Sequence, residues 1–149
     1  MQKILKKYSD KSDAIQILQE VQKKYGYISK LNLRQISSTI SVPYAEMYSI
    51  VTFYKSFSLS PRGKYIIRVC DGTACHIKGS LSLLSEIKEI LDINPGETTS
   101  DKIFSLETVA CMGVCALAPV MVIGDNYYGN LTRASLKKII YEYQNKEKQ

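Results

Sequence analysis

The chain has 149 residues, 45% of them apolar and 23% charged, with a formal charge of +6. That length bounds it to one domain or to a compact domain with a helical appendage, and the composition excludes a disordered or collagen-like chain. The charge is one-sided, nine Lys/Arg against four Asp/Glu in the first sixty residues and eleven against ten in the rest, yet no Lys/Arg run exceeds two; a solvated or docking face fits this, and nucleic-acid binding does not.

Met1 to Tyr8 is basic, but no apolar run comes after it, so no secretory leader is expected. No stretch nears the ~20 apolar residues of a membrane span. A soluble cytoplasmic protein, without direct membrane insertion, is the expectation. A first helix should start at Ser12 or Asp13 as N-cap, with Ala14, Ile15, Ile17, Leu18 and Val21 on one face and Gly26 ending it. Ser29 can cap a second helix that buries Leu33, Ile36 and Ile40. Ser41 and Pro43 open a third, running through Met47, Ile50 and Val51 toward Tyr54. Residues 1–58 therefore read as a helical bundle unit, with Tyr54 and Phe57 placed to pack it onto the rest of the chain.

Pro61 and Gly63 mark a turn, and the composition then changes. Lys64 to Val69 reads as a strand leading into Cys70. Ser80 can cap a helix carrying Leu81, Leu84, Ile87, Ile90 and Leu91, and Asn94-Pro95-Gly96 breaks it. A second strand lies within Ile103 to Val109 and leads to Cys111. Val120 to Ile123 is a third, and Gly124-Asp125-Asn126 turns into a short fourth at Tyr127-Tyr128. Thr132 caps a last helix that buries Leu136, Ile139, Ile140 and Tyr143. The tail from Asn145 to Gln149 should fray. Residues 59–149 are thus β-α-β followed by β-β-α, the order of a thioredoxin-like α/β fold. In such a unit the first two strands run parallel, so Cys70 and Cys111 should meet at one sheet edge, where open α/β sheets bind ligands.

All four cysteines lie in two glycine-containing loops, Cys70 and Cys75 as C-x4-C and Cys111 and Cys115 as C-x3-C. Four thiolates suit a [2Fe–2S] cluster. A zinc ribbon prefers C-x2-C pairs and a dithiol enzyme C-x-x-C, though spacing alone leaves a tetrahedral zinc site open. In a reducing cytoplasm disulfides are disfavoured. Gly72 and Gly113 should let backbone amides approach sulfur, and Thr73 and Ser80 offer hydroxyl donors. Asp71 lowers the reduction potential only if it faces the cluster; a solvent-facing side chain is the expected case. His76 is the only histidine. A Rieske-type centre needs two, so it is read as a surface hydrogen-bonding residue. No G-x-G-x-x-G, P-loop or nucleophile–histidine constellation is present.

The segments VCDGTACHIKGS and VACMGVCALAPV resemble those of the thioredoxin-like [2Fe–2S] ferredoxin family. The chain is most similar to its E-type members: the small (gamma) iron–sulfur subunits of NADH dehydrogenase (complex I), NAD-linked hydrogenase and formate dehydrogenase, electron-bifurcating ones included. KKYGYIS, VTFYKSFSLSPRGKY and YYGNLT extend the likeness over nearly the whole chain. Met112 stands where Leu is frequent, a volume-conserving exchange. The resemblance implies one [2Fe–2S] cluster ligated by Cys70, Cys75, Cys111 and Cys115, the first two on one iron and the last two on the other. It implies no complete active site on this chain. FMN and NAD(H) would sit on a flavoprotein partner beside further iron–sulfur subunits, in the cytoplasm or peripheral to a membrane complex. The helical unit would dock that partner. A free-standing ferredoxin shuttle and a zinc-stabilised interaction module are the alternatives.

Overall fold

A computed structural model describes residues 1–8 and 10–147. It divides into two compact units, Met1–Arg62 and Gly63–Gln149. Leu59 to Arg62 fall with the first, because Leu59 packs on its core and the Arg62 guanidinium donates to the Lys55 carbonyl at 3.2 Å.

The first unit is helical: α1 (Gln2–Leu5), α2 (Ala14–Tyr25), α3 (Lys30–Thr39) and α4 (Tyr44–Phe53). A short 3-10 turn, Lys11–Asp13, precedes α2 and is capped by Asp10, whose carboxylate accepts from the Ser12 N–H at 2.8 Å. Asp13 stands at the N-cap position of α2, as expected, but its side chain makes no capping hydrogen bond there, and Ser12 lies inside the turn. Gly26 ends α2 at φ 78°, as its missing Cβ permits. Ala14, Ile17, Leu18 and Val21 are buried, an i, i+3, i+4, i+7 set. Ile15 falls off that stripe and is 38% exposed. Ser29 caps α3 through the Asn32 N–H at 3.0 Å, and Leu33, Ile36 and Ile40 are buried. Ser41 does not cap α4: it is a left-handed link residue at φ 54°, and Pro43 itself is the N-cap. Phe57 is buried within this unit's own core.

The second unit is a four-stranded sheet with β1 (Tyr65–Cys70), β2 (Phe104–Val109), β3 (Val120–Ile123) and β4 (Asn126–Gly129) in the order β2-β1-β3-β4. Strands β1 and β2 are parallel, with Cys70 opposite Val109; the other pairings are antiparallel. Three helices accompany the sheet: α5 (Thr73–Ile77), α6 (Ser80–Leu91) and α7 (Arg133–Asn145). Side chains alternate across a strand, and the two faces have different jobs. Ile67, Val69, Phe104, Leu106, Met121 and Ile123 pack against Leu83, Ile87 and Leu91 of α6 and Leu136, Ile140 and Tyr143 of α7. Cys70, Val120 and Val122 gather with Cys75 and Ala118 in a separate cluster.

Helix α6 turns a different face inward from the expected one: Leu83, Ile87 and Leu91 are buried, while Leu81 is 53% exposed. Leucines at 81, 83 and 84 make several stripes equally apolar. Ser80 opens the helix but is not its cap; Gly79 is, at φ 99°. Thr132 caps α7 in a capping box with Ser135. Of the tail expected to fray, Lys148 and Gln149 lie outside the described residues. Glu147 is held, paired with Lys64 at 2.6 Å and accepting from the Tyr65 hydroxyl at 2.9 Å.

Gly63 enters the second unit where no side chain fits. A Cβ there would lie 2.4 Å from the Phe104 carbonyl carbon and 2.7 Å from the Ser105 nitrogen, both backbone atoms. Its N–H donates to the buried Ser105 hydroxyl at 2.7 Å. Gly63→Ala is expected to cost about 1–3 kcal/mol, read as a lowered thermal midpoint. At the other side of the sheet, burial and the hydrogen bond to Tyr143 push the Tyr128 hydroxyl up to about 12. The ordinary value is about 10, so the folded state disfavours the phenolate. Stability is expected to hold below pH 10 and to fall as pH rises from about 10 to about 12. Tyr128→Phe removes that group's share of the loss, which a pH series of denaturation curves checks.

Candidate iron–sulfur centre

Cys70 is the last residue of β1, and Cys111 comes two residues after β2. Because the strands are parallel and adjacent, both loops leave the sheet at the same edge. The ladder continues one step past it, with the Asp71 N–H donating to the Val109 carbonyl at 2.8 Å. Cys75 lies in α5, and Cys115 opens a 3-10 turn, Cys115–Leu117. A cavity of about 360 Å³ at this edge is lined by all four cysteines with Gly72, Thr73, Ala74 and Ala110. The structure thus brings together every sequence-expected ligand.

All four thiols are free of disulfides. Cys70 and Cys75 are 3% and 2% exposed, whereas Cys111 and Cys115 are exposed. Burial pushes the Cys70 thiol up. The Gly72 and Met112 N–H groups and the Cys75 thiol stabilise its thiolate and outweigh that burial, so the net displacement is downward. Burial also pushes Cys75 up, and the neighbouring Cys70 and Cys115 add to it against the Val120 N–H. The Gly113 N–H points at the Cys111 sulfur, 3.4 Å away. Amide donors aimed at sulfur are what a negatively charged iron–sulfur cluster requires of its loops.

The two loop glycines act differently. Gly113 needs its conformation, at φ 79°. Gly72 has an ordinary φ of −67°; its need is space, since a Cβ would lie 2.5 Å from the Ala110 carbonyl oxygen. Ser80 is buried, and its hydroxyl lies 3.5 Å from an Asp71 carboxylate oxygen. That same oxygen is 3.1 Å from His76 Nδ1, and both Asp71 and His76 are about half exposed. Asp71 is therefore engaged with His76 and Ser80, and His76 is a surface residue, as expected.

Two features went unread in the sequence. Helix α5 is one, although Gly79 at its C-terminal side was a stop signal. Gly129 is the other. A Cβ there would lie 2.5 Å from Leu117 Cβ and 2.6 Å from its carbonyl oxygen, and the Asn130 N–H donates to that oxygen at 3.1 Å. The end of β4 thus pins the turn that carries Cys115. A glycine inside a strand was its sequence signal.

Among the described residues no three His, Cys, Asp or Glu side chains meet as the ligand set of a single ion. The pair that does meet is Cys70 and Cys75. A binuclear cluster takes its four thiolates as two per iron, so such a pair is the unit the donor set must supply. Four free thiols around one cavity, with amides on sulfur, fit that group.

The model of the family "Thioredoxin-like [2Fe-2S] ferredoxin" matches residues 1–144. The NADP-reducing hydrogenase subunit HndA of Solidesulfovibrio fructosivorans is 40% identical over 129 residues, which are 87% of this chain and 75% of that one. An E-type subunit of the NADH-quinone oxidoreductase of Rhizobium meliloti (strain 1021) is 36% identical over 143 residues, 95% of this chain and 85% of that one. Among solved structures, an NAD+-reducing [NiFe]-hydrogenase in the air-oxidized state superposes with a TM-score of 0.70 at 24% identity, over 87% of this chain and 23% of that one. This last likeness speaks for the fold, and the chain spans under a quarter of that protein's length.

Proposed function

Because the chain belongs to the thioredoxin-like [2Fe–2S] ferredoxin family, whose members carry such a cluster, we propose that it is the electron-transfer subunit of a multisubunit NAD(H)-dependent oxidoreductase. The complex is of the NADH:quinone oxidoreductase or NAD(P)-linked hydrogenase type, the electron-bifurcating hydrogenases and formate dehydrogenases included. Cys70, Cys75, Cys111 and Cys115 are the ligands. The observation that carries this reading is the single cavity lined by all four free cysteines at the ends of two parallel strands.

When bound, the cluster supplies one-electron chemistry, while NAD(H) exchanges a hydride at a flavin on a partner subunit. This chain's residues do the rest. The Cys70 and Cys75 thiolates anchor from the protein side and Cys111 and Cys115 from the solvent side. The amides of Gly72, Met112, Gly113 and Val120 stabilise negative charge on sulfur and so favour the reduced state. Val120, Val122 and Ala118 keep water from the inner pair. In this reading Gly63–Gln149 holds the cluster and Met1–Arg62 docks the flavin-binding partner. No helix among the described residues is long and apolar enough to cross a membrane, in keeping with a cytoplasmic or peripheral subunit.

The test is anaerobic purification with iron, zinc and acid-labile sulfide analysis, then EPR before and after dithionite. About two irons and two sulfides per chain, with a rhombic signal only after reduction, is the expected result. One zinc, no sulfide and a colourless protein would overturn it.

A further inference from the structure

The first unit carries a surface that its own fold does not require. The last turn of α2, the first turn of α3 and the segment after α4 meet at one end. Gln22 accepts from the Ser58 N–H at 2.7 Å and donates to the Ser56 carbonyl, and the Ile28 N–H donates to the Ser58 carbonyl at 2.8 Å. Lys23 and Lys24 lie on the first of these segments, Lys30 on the second and Lys55 on the third, all exposed. None of the four enters an ion pair among the described residues. Beside them Leu31 is 71% exposed, Phe53 79% and Tyr54 43%, with the Phe53 and Tyr54 rings edge to face at 5.1 Å.

The unit's carboxylates are elsewhere. Asp10 and Asp13 form the capping box before α2, Glu20 pairs with Lys7 at 3.1 Å, and Glu46 sits in the first turn of α4. Met1–Arg62 holds ten Lys/Arg against four Asp/Glu, whereas Gly63–Gln149 is balanced at ten of each. The whole +6 of the chain therefore belongs to the helical unit. Local needs explain part of it: Lys23 and Lys24 complement the C-terminal dipole of α2, and Lys24 sits over the Tyr25 ring. They do not explain Lys30, which opens α3 at the end where the dipole disfavours a cation. Nor do they explain Phe53, an aromatic side chain left in water at the end of a helix.

The geometry points to this end of the unit as a docking surface for an acidic protein surface around an apolar socket, carried by the flavin-binding partner. The inference rests on the reading given under Proposed function and specifies its partner. Phe53, Leu31 and Tyr54 fill the socket and supply most of the affinity. The lysines, on the segments that meet at this end, speed encounter and select against basic surfaces. A nucleic acid would answer the charge but not the apolar centre.

The test uses the complex purified from its native host through a tag on this chain, with bound flavin measured and the chain's EPR spectrum recorded. Lysine acetylation is compared between the complex and the isolated chain, and zero-length carbodiimide cross-links are mapped. Acetylation at Lys23, Lys24, Lys30 and Lys55 is expected to slow by about tenfold or more on assembly, with cross-links from them to Asp or Glu of the flavin-carrying chain. Phe53→Ser is expected to weaken association by about tenfold or more while the EPR spectrum of the variant is unchanged. Equal acetylation in a flavin-containing complex would overturn the docking surface and leave the electron-transfer reading standing. A complex without any flavin-carrying chain would overturn both. Protection that nuclease treatment removes would also overturn the docking surface.

Discussion

Cys75→Ser is expected to abolish the visible absorption and the reduced-state EPR signal of this protein, and Cys111→Ser to do the same. Serine is nearly isosteric with cysteine, so the loop and α5 have no steric reason to rearrange. What changes is the donor: metals and clusters are bound by thiolate, and a serine hydroxyl keeps its proton. At Cys75 the surroundings give no relief, because the side chain is 2% exposed and lies against the Cys70 thiol. His76→Ala is the matching control. Its ring bonds Asp71 at the surface, and the variant should keep the wild-type spectrum. Iron and sulfide analysis with EPR on the three variants decides the matter. A full signal in either serine variant would sink the four-thiolate assignment, and loss in His76→Ala would add a nitrogen ligand.

Phe104→Ala is expected to destabilise the second unit by about 3–5 kcal/mol, the range for emptying a buried aromatic site. Phe104 is fully buried, its ring centroid is 6.0 Å from that of Tyr65, and it opens the strand that leads to Cys111. Its backbone is tied as well, donating to the Thr99 hydroxyl at 3.0 Å and accepting from the Thr99 N–H at 2.9 Å. The site cannot collapse easily onto the missing ring, because backbone on both sides is fixed. Against a total stability of about 5–15 kcal/mol the loss is large. It should lower the thermal midpoint by more than about 12 °C for a unit of this size. A shift under a few degrees in a circular dichroism melt would show that neighbouring side chains refill the space.

The elements that the sequence displayed most openly are those whose signal is local. The β-branched run Ile66–Val69, the cap at Ser29 and the cap at Thr132 each depend on a few neighbours, and each is where it was expected. The four cysteines were equally legible, since spacing and flanking glycines are written in the chain. What stayed hidden depends on distant partners. Which leucine of 81, 83 and 84 faces inward is decided by the sheet, not by helical period, and Leu83 is the one buried. Ile15 is apolar but one step off the stripe that the core selects. Asp71 has its orientation from His76 and Ser80, a contact that sequence adjacency to Cys70 did not reveal. Glycine is required at positions 63 and 129 by the close approach of atoms distant in sequence, Phe104 and Ser105 at the first and Leu117 at the second, so the turn signal at Gly63 and the strand position of Gly129 did not reveal what makes a side chain impossible there.

The two faces of the small sheet carry a consequence for how such a protein changes over time. One face, with α6 and α7, is where the bulk of the fold's apolar packing lies; the other holds Cys70, Cys75, Ala118, Val120 and Val122, with Met112 and Val114 against them. Substitutions far apart and without shared partners tend to act independently. Exchanges at Met112 and Val114, which lie outside the strands, therefore alter the polarity and water access around sulfur while leaving the helix-bearing face untouched. A lineage, or an engineer, can adjust the electron affinity of the centre in small steps without renegotiating whether the domain folds.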